Sequence, residues 1–361
     1  MIRLASILKE GHLLYDHIVG TGGIGSGIIF SMTGNNTLGR NESRMAALMP
    51  FQDFCKLHII MHYVSVLLGA GNKETFSSYP IGKVGNDTTG DILRKKMKKV
   101  GMDIVHVTHG YAHPTLFSIC FQYPDFSGGN ITTSNSASSQ VLPQDILAFF
   151  KDYRQKRGNG IVLSVPEVPV ATRIELLKQG KSRAMLNVAS ILSSEISEFK
   201  NLKGFIYTDI LAVNIDEAMH IANIESEETD SSLIIDGCIS ELLESNIDIA
   251  VLITDGAKGV HVYQKGKMEF VPAIETNVVS TPGAGDAFLA GTISGICCGL
   301  PLLGHTEGQL RTAVDLGCLL ASFAITSEDT INFNANAKSV FKYAVQKQLN
   351  LGADFKKIFL E

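Results

Sequence analysis

Short apolar runs alternate with helical patterns along the second half of the chain. Segments such as 169–179 and 217–224 have helical spacing with charged residues at the outer positions. This alternation is typical of a parallel sheet covered by helices on both faces. We therefore predict a doubly wound, mostly parallel α/β fold in a single domain, residues 1–361. The predicted buried strands are 160–164, 184–188, 210–213 and 249–254.

Outside this alternation the sequence predicts further strands. Residues 260–263 and 268–271 predict a hairpin after the last buried strand. Two other segments, about 22–40 and 114–134, are rich in β-formers, Gly, Asn and Thr and have little helical periodicity. Within the second of these, 116–121 is a strong strand candidate. We therefore predict strands and turns rather than helices in both segments.

Composition narrows the class of protein. The chain is 45% hydrophobic and 19% charged, and its formal net charge is −5. These values favour a well-buried globular protein and give no sign of a nucleic-acid partner or an anionic-membrane surface. The six cysteines have no C-x-x-C spacing, and no apolar run approaches a membrane span. We therefore expect a cytoplasmic protein with no nucleic-acid or membrane partner.

The most informative stretch is Ser280–Phe288, which places small residues and one carboxylate at a predicted helix N-terminus. Gly283, Ala284 and Gly285 leave their N–H groups unshielded, and the dipole of the following small-residue helix favours an anion there. Asp286 lies beside that anion. Such a turn can hold a phosphate and deprotonate a hydroxyl. The plainer alternative is an ordinary helix entry with Asp286 as its capping carboxylate.

This stretch resembles the motif D-T-x-G-A-G-D-x-F of the ribokinase-like (PfkB) carbohydrate kinases, with Ser280 in place of the first acid. Residues 82–90 resemble G-x-V-G-x-D-x-x-G, residues 214–218 resemble N-x-x-E-A, and residues 254–259 resemble T-x-G-x-x-G. The four motifs follow in the family's order, so the chain is identified as a divergent member. The resemblance implies a ribokinase-like sheet, with the two β-rich segments forming a lid over the acceptor substrate.

The resemblance also implies ATP-dependent transfer of a γ-phosphoryl group to a hydroxyl of a sugar or sugar-like small molecule. Asp286 would be the general base, and the N–H groups of the turn would stabilise the transferred phosphoryl. The implied site residues are Gly283, Ala284 and Gly285 in that turn, Thr254, Gly256 and Gly259 for the nucleotide, and Asn214 and Glu217 for Mg²⁺ held through water.

Acceptor recognition departs from the family pattern. Members usually carry an acid just after the first strand and a Gly-Gly pair before an Asn on the next helix, but residues 19–23 and 53–58 have neither. Recognition is therefore expected to differ from that of ribokinase or adenosine kinase. Ribose, fructose, inositol, nucleosides and phosphosugars all stay open. The candidate acceptor-binding residues are Gly22, Gly23, Asn36 and Arg40.

Two further properties stay open at this stage. Ser280 is neutral where the family most often has an acid, so dependence on a monovalent cation is uncertain and is expected to be weak. The resemblance also leaves open a homodimer formed through the lid.

Other interpretations compete with the kinase reading. Gly20–Gly25 matches G-x-G-x-x-G, with Glu42 downstream, and would suit an NAD-dependent oxidoreductase. However, the residues after Gly25 are rich in β-branched and turn residues where that motif requires a helix. No G-x-x-x-x-G-K-[ST] exists, which excludes a Walker-type site. A nucleotide- or sugar-binding sensor without turnover is the remaining alternative.

Two clusters allow a functional and a plainer interpretation. Cys55, His58 and His62 share one stripe of a helix predicted over 53–68, which could ligate a metal, although the apolar surroundings favour buried histidines. The charged cluster 40–44 is typical of a solvated face, with Glu42 pairing within a helix or capping it. Beside a lid, Arg40 or Arg44 could instead contact an anionic substituent of the substrate.

Overall fold

A computed structural model describes residues 3–8, 11–71, 75–125, 127–153, 159–225 and 230–359. The described strands are β1 His17–Thr21, β2 Gly25–Met32, β3 Ala46–Leu48, β4 Asp53–Phe54, β5 Ser77–Gly85, β6 Val107–Gly110, β7 Leu116–Gln122, β8 Gly128–Thr132, β9 Gly160–Ser164, β10 Leu186–Ser190, β11 Ile210–Asn214, β12 Ala250–Thr254, β13 Gly259–Gln264 and β14 Lys267–Pro272. The described α-helices are α1 Lys56–Leu68, α2 Thr88–Lys99, α3 Pro143–Asp152, α4 Val170–Ser182, α5 Ile196–Asn201, α6 Ile215–Ile221, α7 Ser231–Ser245, α8 Ala284–Cys297, α9 Ala313–Ala324, α10 Ala337–Gln346 and α11 Ala353–Lys357.

The main sheet has nine strands in the order β14-β13-β12-β11-β10-β9-β1-β5-β6. The seven strands from β12 to β6 run parallel, and the hairpin β13–β14 adds two antiparallel strands at one edge. Residues of one strand alternate between two cores: Ile18 packs in one and Val19 in the other. Burial on both faces explains why these strands are continuous apolar runs in the sequence.

A second sheet lies beside the first, with strand order β3-β2-β7-β8, and β4 also pairs with β2. Its strands come from the predicted segments 22–40 and 114–134, together with the short β3 and β4, which the sequence did not predict. Asp87 connects the two parts, because its carboxylate caps α2 through Gly90 N–H and accepts hydrogen bonds from the N–H and hydroxyl of Thr115 before β7.

The doubly wound α/β prediction is confirmed, with shifts at some element ends. β10 begins at Leu186 rather than 184, because Ala184 adopts a left-handed φ of 56° where α4 ends. The helix predicted over 53–68 begins at Lys56, because Asp53 and Phe54 pair with β2 as strand β4. The predicted hairpin and the strand at 116–121 are found within one residue of their predicted ends, and the helix after Pro169 ends at Ser182, three residues beyond its predicted end.

Helices α1 and α8, which both contribute residues to the region of the predicted catalytic turn, are largely buried. α8 packs against both α9 and α1, and its buried residues include four glycine or alanine positions that allow close approach. None of the helices in the described ranges is long and apolar enough to cross a membrane.

Candidate active site

The turn before α8 is held in one conformation by its glycine. Gly283 is the N-cap of α8 and has a φ of +84°, in the left-handed region. A Cβ atom there would also lie 2.5 Å from the carbonyl oxygen of Thr330. Both constraints require glycine. They place Asp286 in the first turn of α8, at the end of the helix where unpaired N–H groups accumulate.

Two cavities meet at this turn. One has a volume of about 390 Å³ and is lined by Gly283 and Asp286; the other has a volume of about 630 Å³ and is lined by Ala284 and Gly285. Thr281 lines both. The turn is therefore a partition, with a carboxylate on one side and backbone amides of a helix N-terminus on the other. We call the smaller space the acceptor cavity and the larger one the nucleotide cavity.

The nucleotide cavity brings together three predicted residues. Thr254 ends β12, Gly256 lies in the loop that follows, and Gly259 begins β13. A Cβ atom at Gly285 would meet no atom within 4 Å, so the backbone is open to this cavity. The remaining lining is largely apolar, as a flat aromatic base prefers; it includes Ala257, Val260, Ile274, Val278, Phe288, Ala321 and Ile325.

The N–H groups assigned to the anion are not equivalent. Ala284 N–H already donates to the carbonyl of Thr281 at 3.1 Å, as part of the turn. Gly285 is the second residue of α8, where an N–H has no partner one helical turn back. Gly285 is thus better placed than Ala284 to donate to a phosphate.

Asn214 and Glu217 form a reciprocal capping box at the start of α6. Glu217 N–H donates to Asn214 Oδ1 at 2.7 Å, and Asn214 N–H donates to Glu217 Oε2 at 2.9 Å. Burial raises the pKa of Glu217, while the charge of Lys56 lowers it. Neither Asn214 nor Glu217 is among the residues that line the two cavities.

Lys56 is the partner of Asp286. Its Nζ lies 2.6 Å from Asp286 Oδ1, and both side chains line the acceptor cavity. Burial raises the pKa of Asp286, and Lys56 opposes that shift. Although burial alone would lower it, the pKa of Lys56 is raised by the neighbouring carboxylate of Asp286. The ion pair thus offsets part of the cost of burying each charge.

Glu167 brings a second carboxylate to the acceptor cavity. Its backbone has a φ of +78°, which is uncommon for a residue with a side chain. Its Oε2 is buried and has no hydrogen-bond partner among the described residues. Burial raises the pKa of Glu167 to about 7, with Lys56 opposing. An unpaired buried oxygen at a strained position is typical of a ligand-binding group.

Asp53 is the third carboxylate that lines this cavity. It lies on β4, in the second sheet, and accepts a hydrogen bond from Ser118 Oγ at 2.5 Å. The other acids and the turn belong to the main part of the fold. The acceptor cavity therefore lies between the two sheets and is closed by residues of both.

The chain matches a family of known proteins over most of its length. The family described as pfkB family carbohydrate kinase matches residues 65–337. This chain belongs to the PfkB family. Membership makes it a phosphotransferase with an alcohol group as acceptor, and it confirms the family identified from the four motifs.

Curated relatives and solved structures agree with this assignment. Ribokinase of Haemophilus influenzae is 24% identical over 250 residues, covering 69% of this chain and 75% of its own. Fructokinase of Escherichia coli is 22% identical over 258 residues, covering 69% of this chain and 80% of its own.

Three solved structures share the fold. Ribokinase from Giardia lamblia has a TM-score of 0.71 at 15% identity, covering 91% of this chain and 99% of its own. A nucleoside kinase from Burkholderia thailandensis in complex with inosine has a TM-score of 0.70 at 15% identity, covering 92% and 99%. Ribokinase from Cryptococcus neoformans in complex with ADP has a TM-score of 0.70 at 16% identity, covering 91% and 99%.

Within this PfkB fold, the predicted acceptor-binding residues fall into two groups. Gly22 and Gly23 are buried after β1, and a side chain at Gly23 would overlap Glu167. Asn36 and Arg40 lie in an exposed loop and do not line the acceptor cavity. Glu42 pairs with Arg44 in that loop, whereas the sequence suggested a pair within a helix or a cap. Residues 39–42 form a single turn, in which Glu42 N–H donates to the Gly39 carbonyl at 3.2 Å and Glu42 Oε2 accepts a hydrogen bond from Gly39 N–H at 2.8 Å. The carboxylate thus caps a turn rather than a helix.

The competing motifs have other structural roles. Gly25 begins strand β2 rather than a helix, so Gly20–Gly25 lacks the helix N-terminus that a dinucleotide site needs. His58 and His62 are buried in α1 and pack against aromatic rings, and Cys55 is the N-cap of that helix. No group of three or more metal-ligating side chains occurs in the described part of the chain.

Sequence reasoning missed three cavity residues: Lys56, Asp53 and Glu167. The first two lie in the segment 53–58, where the family's Gly-Gly pattern fails, and that departure was the available signal. No local pattern marks Glu167, because its left-handed backbone has no signature in the sequence.

Proposed function

We propose that this PfkB-family protein transfers the γ-phosphoryl group of ATP to a hydroxyl of a small sugar or nucleoside, with Asp286 as the general base. The observation that carries the proposal is the partition at the turn. Asp286 faces one cavity and Gly285 the other, so an acceptor hydroxyl and a phosphate chain can meet there. The ADP, inosine and fructose complexes of proteins with the same fold are consistent with these two occupants.

Asp286 has the geometry of a general base. Its carboxylate takes the proton of the acceptor hydroxyl as that oxygen bonds to the γ-phosphorus and the bond to the ADP oxygen breaks. Lys56 keeps the carboxylate ionised against burial before the acceptor arrives. Backbone N–H groups at the start of α8 stabilise the charge on the transferred phosphoryl. The turn thus supplies alignment and electrostatic stabilisation, on which phosphoryl transfer mainly depends.

Asn214 and Glu217 fit a hydrated Mg²⁺, because amide and carboxylate oxygens are the donors that this hard cation prefers. When bound, Mg²⁺ would neutralise charge on the phosphates. The capping box fixes both side chains at the carboxyl end of β11, one strand away from Thr254.

The second sheet is proposed to act as a lid on the acceptor. Ser118, Cys120 and Gln122 on β7 line the acceptor cavity, and Gln122 Nε2 donates to Thr281 Oγ1 at 2.8 Å across it. Closure of this sheet would exclude water from the transferred phosphoryl group.

The outer face of the second sheet is proposed to bind a second copy of the chain. On that face Leu48 is 60% exposed, Ile131 67% and Phe117 40%. The strand register places Ile131 opposite Ile119 and Leu48 opposite Phe30, so these apolar side chains form one surface. An exposed apolar patch of this kind is typical of a protein interface.

A screen for ADP release tests the proposed function. The panel contains D-ribose, D-fructose, myo-inositol and inosine with ATP and Mg²⁺, and the Asp286→Asn variant is the negative control. We expect ADP and a phosphorylated product in equal amounts with at least one neutral acceptor. If ATP and a sugar each raise the melting temperature but no acceptor is phosphorylated, the sensor alternative is correct instead.

A further inference from the structure

The second sheet has a glycine opposite Asp53, which leaves space for the Asp53 carboxylate. In the register of β4 with β2, Asp53 pairs with Gly27. A Cβ atom on Gly27 would lie 2.9 Å from Asp53 Oδ2 and would overlap the hydroxyl of Ser118. Strand β2, which follows β1, has glycine rather than an acid at this position. The carboxylate of Asp53 on β4 fills the space that a side chain at Gly27 would take.

The carboxylate is held from one side. Ser118 Oγ donates to Asp53 Oδ2 at 2.5 Å, and Cys120 Sγ donates to the same oxygen at 3.3 Å. Both donors lie on β7, two residues apart, and face the acceptor cavity with Asp53. Since both bonds end on Oδ2, Oδ1 retains the capacity to accept a hydrogen bond from a ligand.

Asp53 is buried without a cation. It is 6% exposed and takes part in no ion pair of the described residues. A buried carboxylate without a positive partner lowers stability, so its presence in a cavity wall needs another reason. Binding of a ligand that donates hydrogen bonds supplies that reason.

The charges of the cavity restrict the ligand. Asp53, Glu167 and Asp286 line it, and Lys56 is the basic residue of the described lining, already paired with Asp286. Burial raises the pKa of Asp53, and it raises that of Glu167 to about 7, so protons neutralise part of this negative charge. The carboxyl oxygens accept hydrogen bonds from hydroxyls, and those that are ionised repel phosphate or carboxylate groups. The cavity thus favours a neutral polyhydroxylated molecule.

We propose that Asp53 is the acceptor-binding carboxylate of this enzyme, supplied by the second sheet in place of an acid after β1, and that it selects neutral, unphosphorylated polyols. This rests on the proposed function for the identity of the cavity. Because Asp53 belongs to the second sheet and Asp286 to the main part of the fold, an acceptor bound by both also joins the two sheets.

Asp53→Asn tests the proposal, with Asp248→Asn, an exposed acid, as the matched control. The neutral panel is D-ribose, D-fructose, myo-inositol and inosine; the anionic panel is ribose 5-phosphate, fructose 6-phosphate and inosine monophosphate. We expect the wild type to prefer the neutral panel. In Asp53→Asn the KM for the best acceptor should rise about 10- to 100-fold, the loss expected of a hydrogen bond to a charged group, with the KM for ATP unchanged.

Deoxy analogues of that acceptor separate binding from a structural role. Removal of the hydroxyl that Asp53 binds should raise the acceptor KM strongly in the wild type. It should raise the KM little in Asp53→Asn, because the carboxylate that this hydroxyl contacts is already absent. Ser118→Ala, which keeps the carboxylate but loosens it, should give a smaller rise in KM. An equal loss for every analogue, or an unchanged acceptor KM, would overturn the proposal.

Sugar-induced thermal stabilisation gives a readout that needs no turnover. Stabilisation of the wild type by a neutral sugar, lost in Asp53→Asn, supports the assignment even if no phosphorylation occurs and the kinase proposal fails. Phosphorylation of the anionic panel alone would support the proposed kinase function and overturn the proposed selection of neutral acceptors by Asp53. A wild type that neither binds nor phosphorylates a neutral member would also overturn it.

Discussion

At the scale of single residues, the pair of Asp286 and Lys56 defines the chemistry. A base at a helix N-terminus is stabilised in its charged form by the helix dipole, yet burial opposes that charge. Lys56, at a distance of 2.6 Å, offsets part of the effect of burial, although the pKa of Asp286 stays above its ordinary value. An acceptor hydroxyl must therefore share the carboxylate with an ammonium group.

Asp286→Asn should lower kcat by about 10²- to 10⁴-fold, because the change removes the base but keeps its size. Binding of ATP, measured by thermal shift, should persist because Asp286 lines the acceptor cavity rather than the nucleotide cavity. Asp248→Asn should keep wild-type turnover. Near wild-type kcat in Asp286→Asn would mean that the base lies elsewhere.

Glu167 should make stability depend on pH. Burial raises its pKa from 4.5 to about 7, so the folded state keeps the proton that the unfolded state has lost. The free energy of unfolding therefore falls as the pH rises from about 4.5 to 7, by at most about 3 kcal/mol. The side chain in Glu167→Gln is neutral at every pH, so this contribution to the pH dependence of the free energy of unfolding should be absent from that variant.

Melting curves between pH 4.5 and 8 measure this effect. The melting temperature of Glu167→Gln relative to wild type should rise with pH by a few degrees and level off above pH 7. Exposed Glu307→Gln should follow the wild type. A constant difference across the range would contradict the assigned shift.

The neutral side chain of Ser280 should make enzyme activity depend little on K⁺. A neutral hydroxyl cannot supply the charge that an acid offers to a potassium-sized ion, so activity should change little between K⁺ and Na⁺ at matched ionic strength. The assay is ADP release in each salt, with a bulky organic cation as reference. Many-fold activation that saturates at low millimolar K⁺ would contradict the expectation.

Residues inside one contiguous motif could be placed together from the sequence. Gly283 and Asp286 are three residues apart, and the helix that begins there fixes their geometry. Asp53 and Glu167 reach the same cavity only through pairing of β4 with β2 and through a left-handed backbone. Neither feature leaves a local pattern, so only the departure from the family motif marked the region.

At the scale of elements, α1 combines a functional end with an unusual interior. Lys56 occupies its first turn, where the helix dipole disfavours a cation and no acid is present. Further along, His58 is fully buried, and both of its ring nitrogens lack hydrogen-bond partners among the described residues. Burial lowers its pKa to about 3, with His62 and Lys96 adding to the shift.

His58→Met should raise stability by about 1–3 kcal/mol, because it removes unpaired buried polar atoms at similar volume. The lowered pKa means that wild-type stability is lost as pH falls from about 6.5 toward 3, so the gain should be larger at pH 5 than at pH 8. Urea melts at both pH values measure it, with exposed His12→Met as control. An equal or smaller gain at pH 5 would contradict this account.

Element prediction was most accurate where burial was two-sided. β9 and β12 are buried at nearly every position and each has a continuous apolar run, so their existence did not depend on partners distant in sequence. β3 and β4 have three and two residues, too few for a periodic signal. Their pairing with β2 is a tertiary property that the local sequence does not encode.

At the scale of the whole molecule, the second sheet should join two copies of the chain. Light scattering after gel filtration should give twice the chain mass of 39.0 kDa. Ile131→Asp places a charge in the apolar face and should give the single-chain mass, whereas Ile247→Asp, at a 77% exposed site outside that face, should not. A wild type of single-chain mass would overturn the assigned interface.

The partition at Thr281–Asp286 also bears on inhibition. Residues of this one turn line both cavities, and Thr281 contributes to each, so a molecule that spans the turn can occupy both at once. An adenosine joined to a polyol through a short phosphate chain would enter the second cavity at high effective concentration once the first is filled. Its affinity should exceed that of either half by about 10²- to 10⁴-fold. Affinity should be highest for the phosphate chain whose length matches the distance between the two cavities across Gly283, so a series of lengths measures that distance.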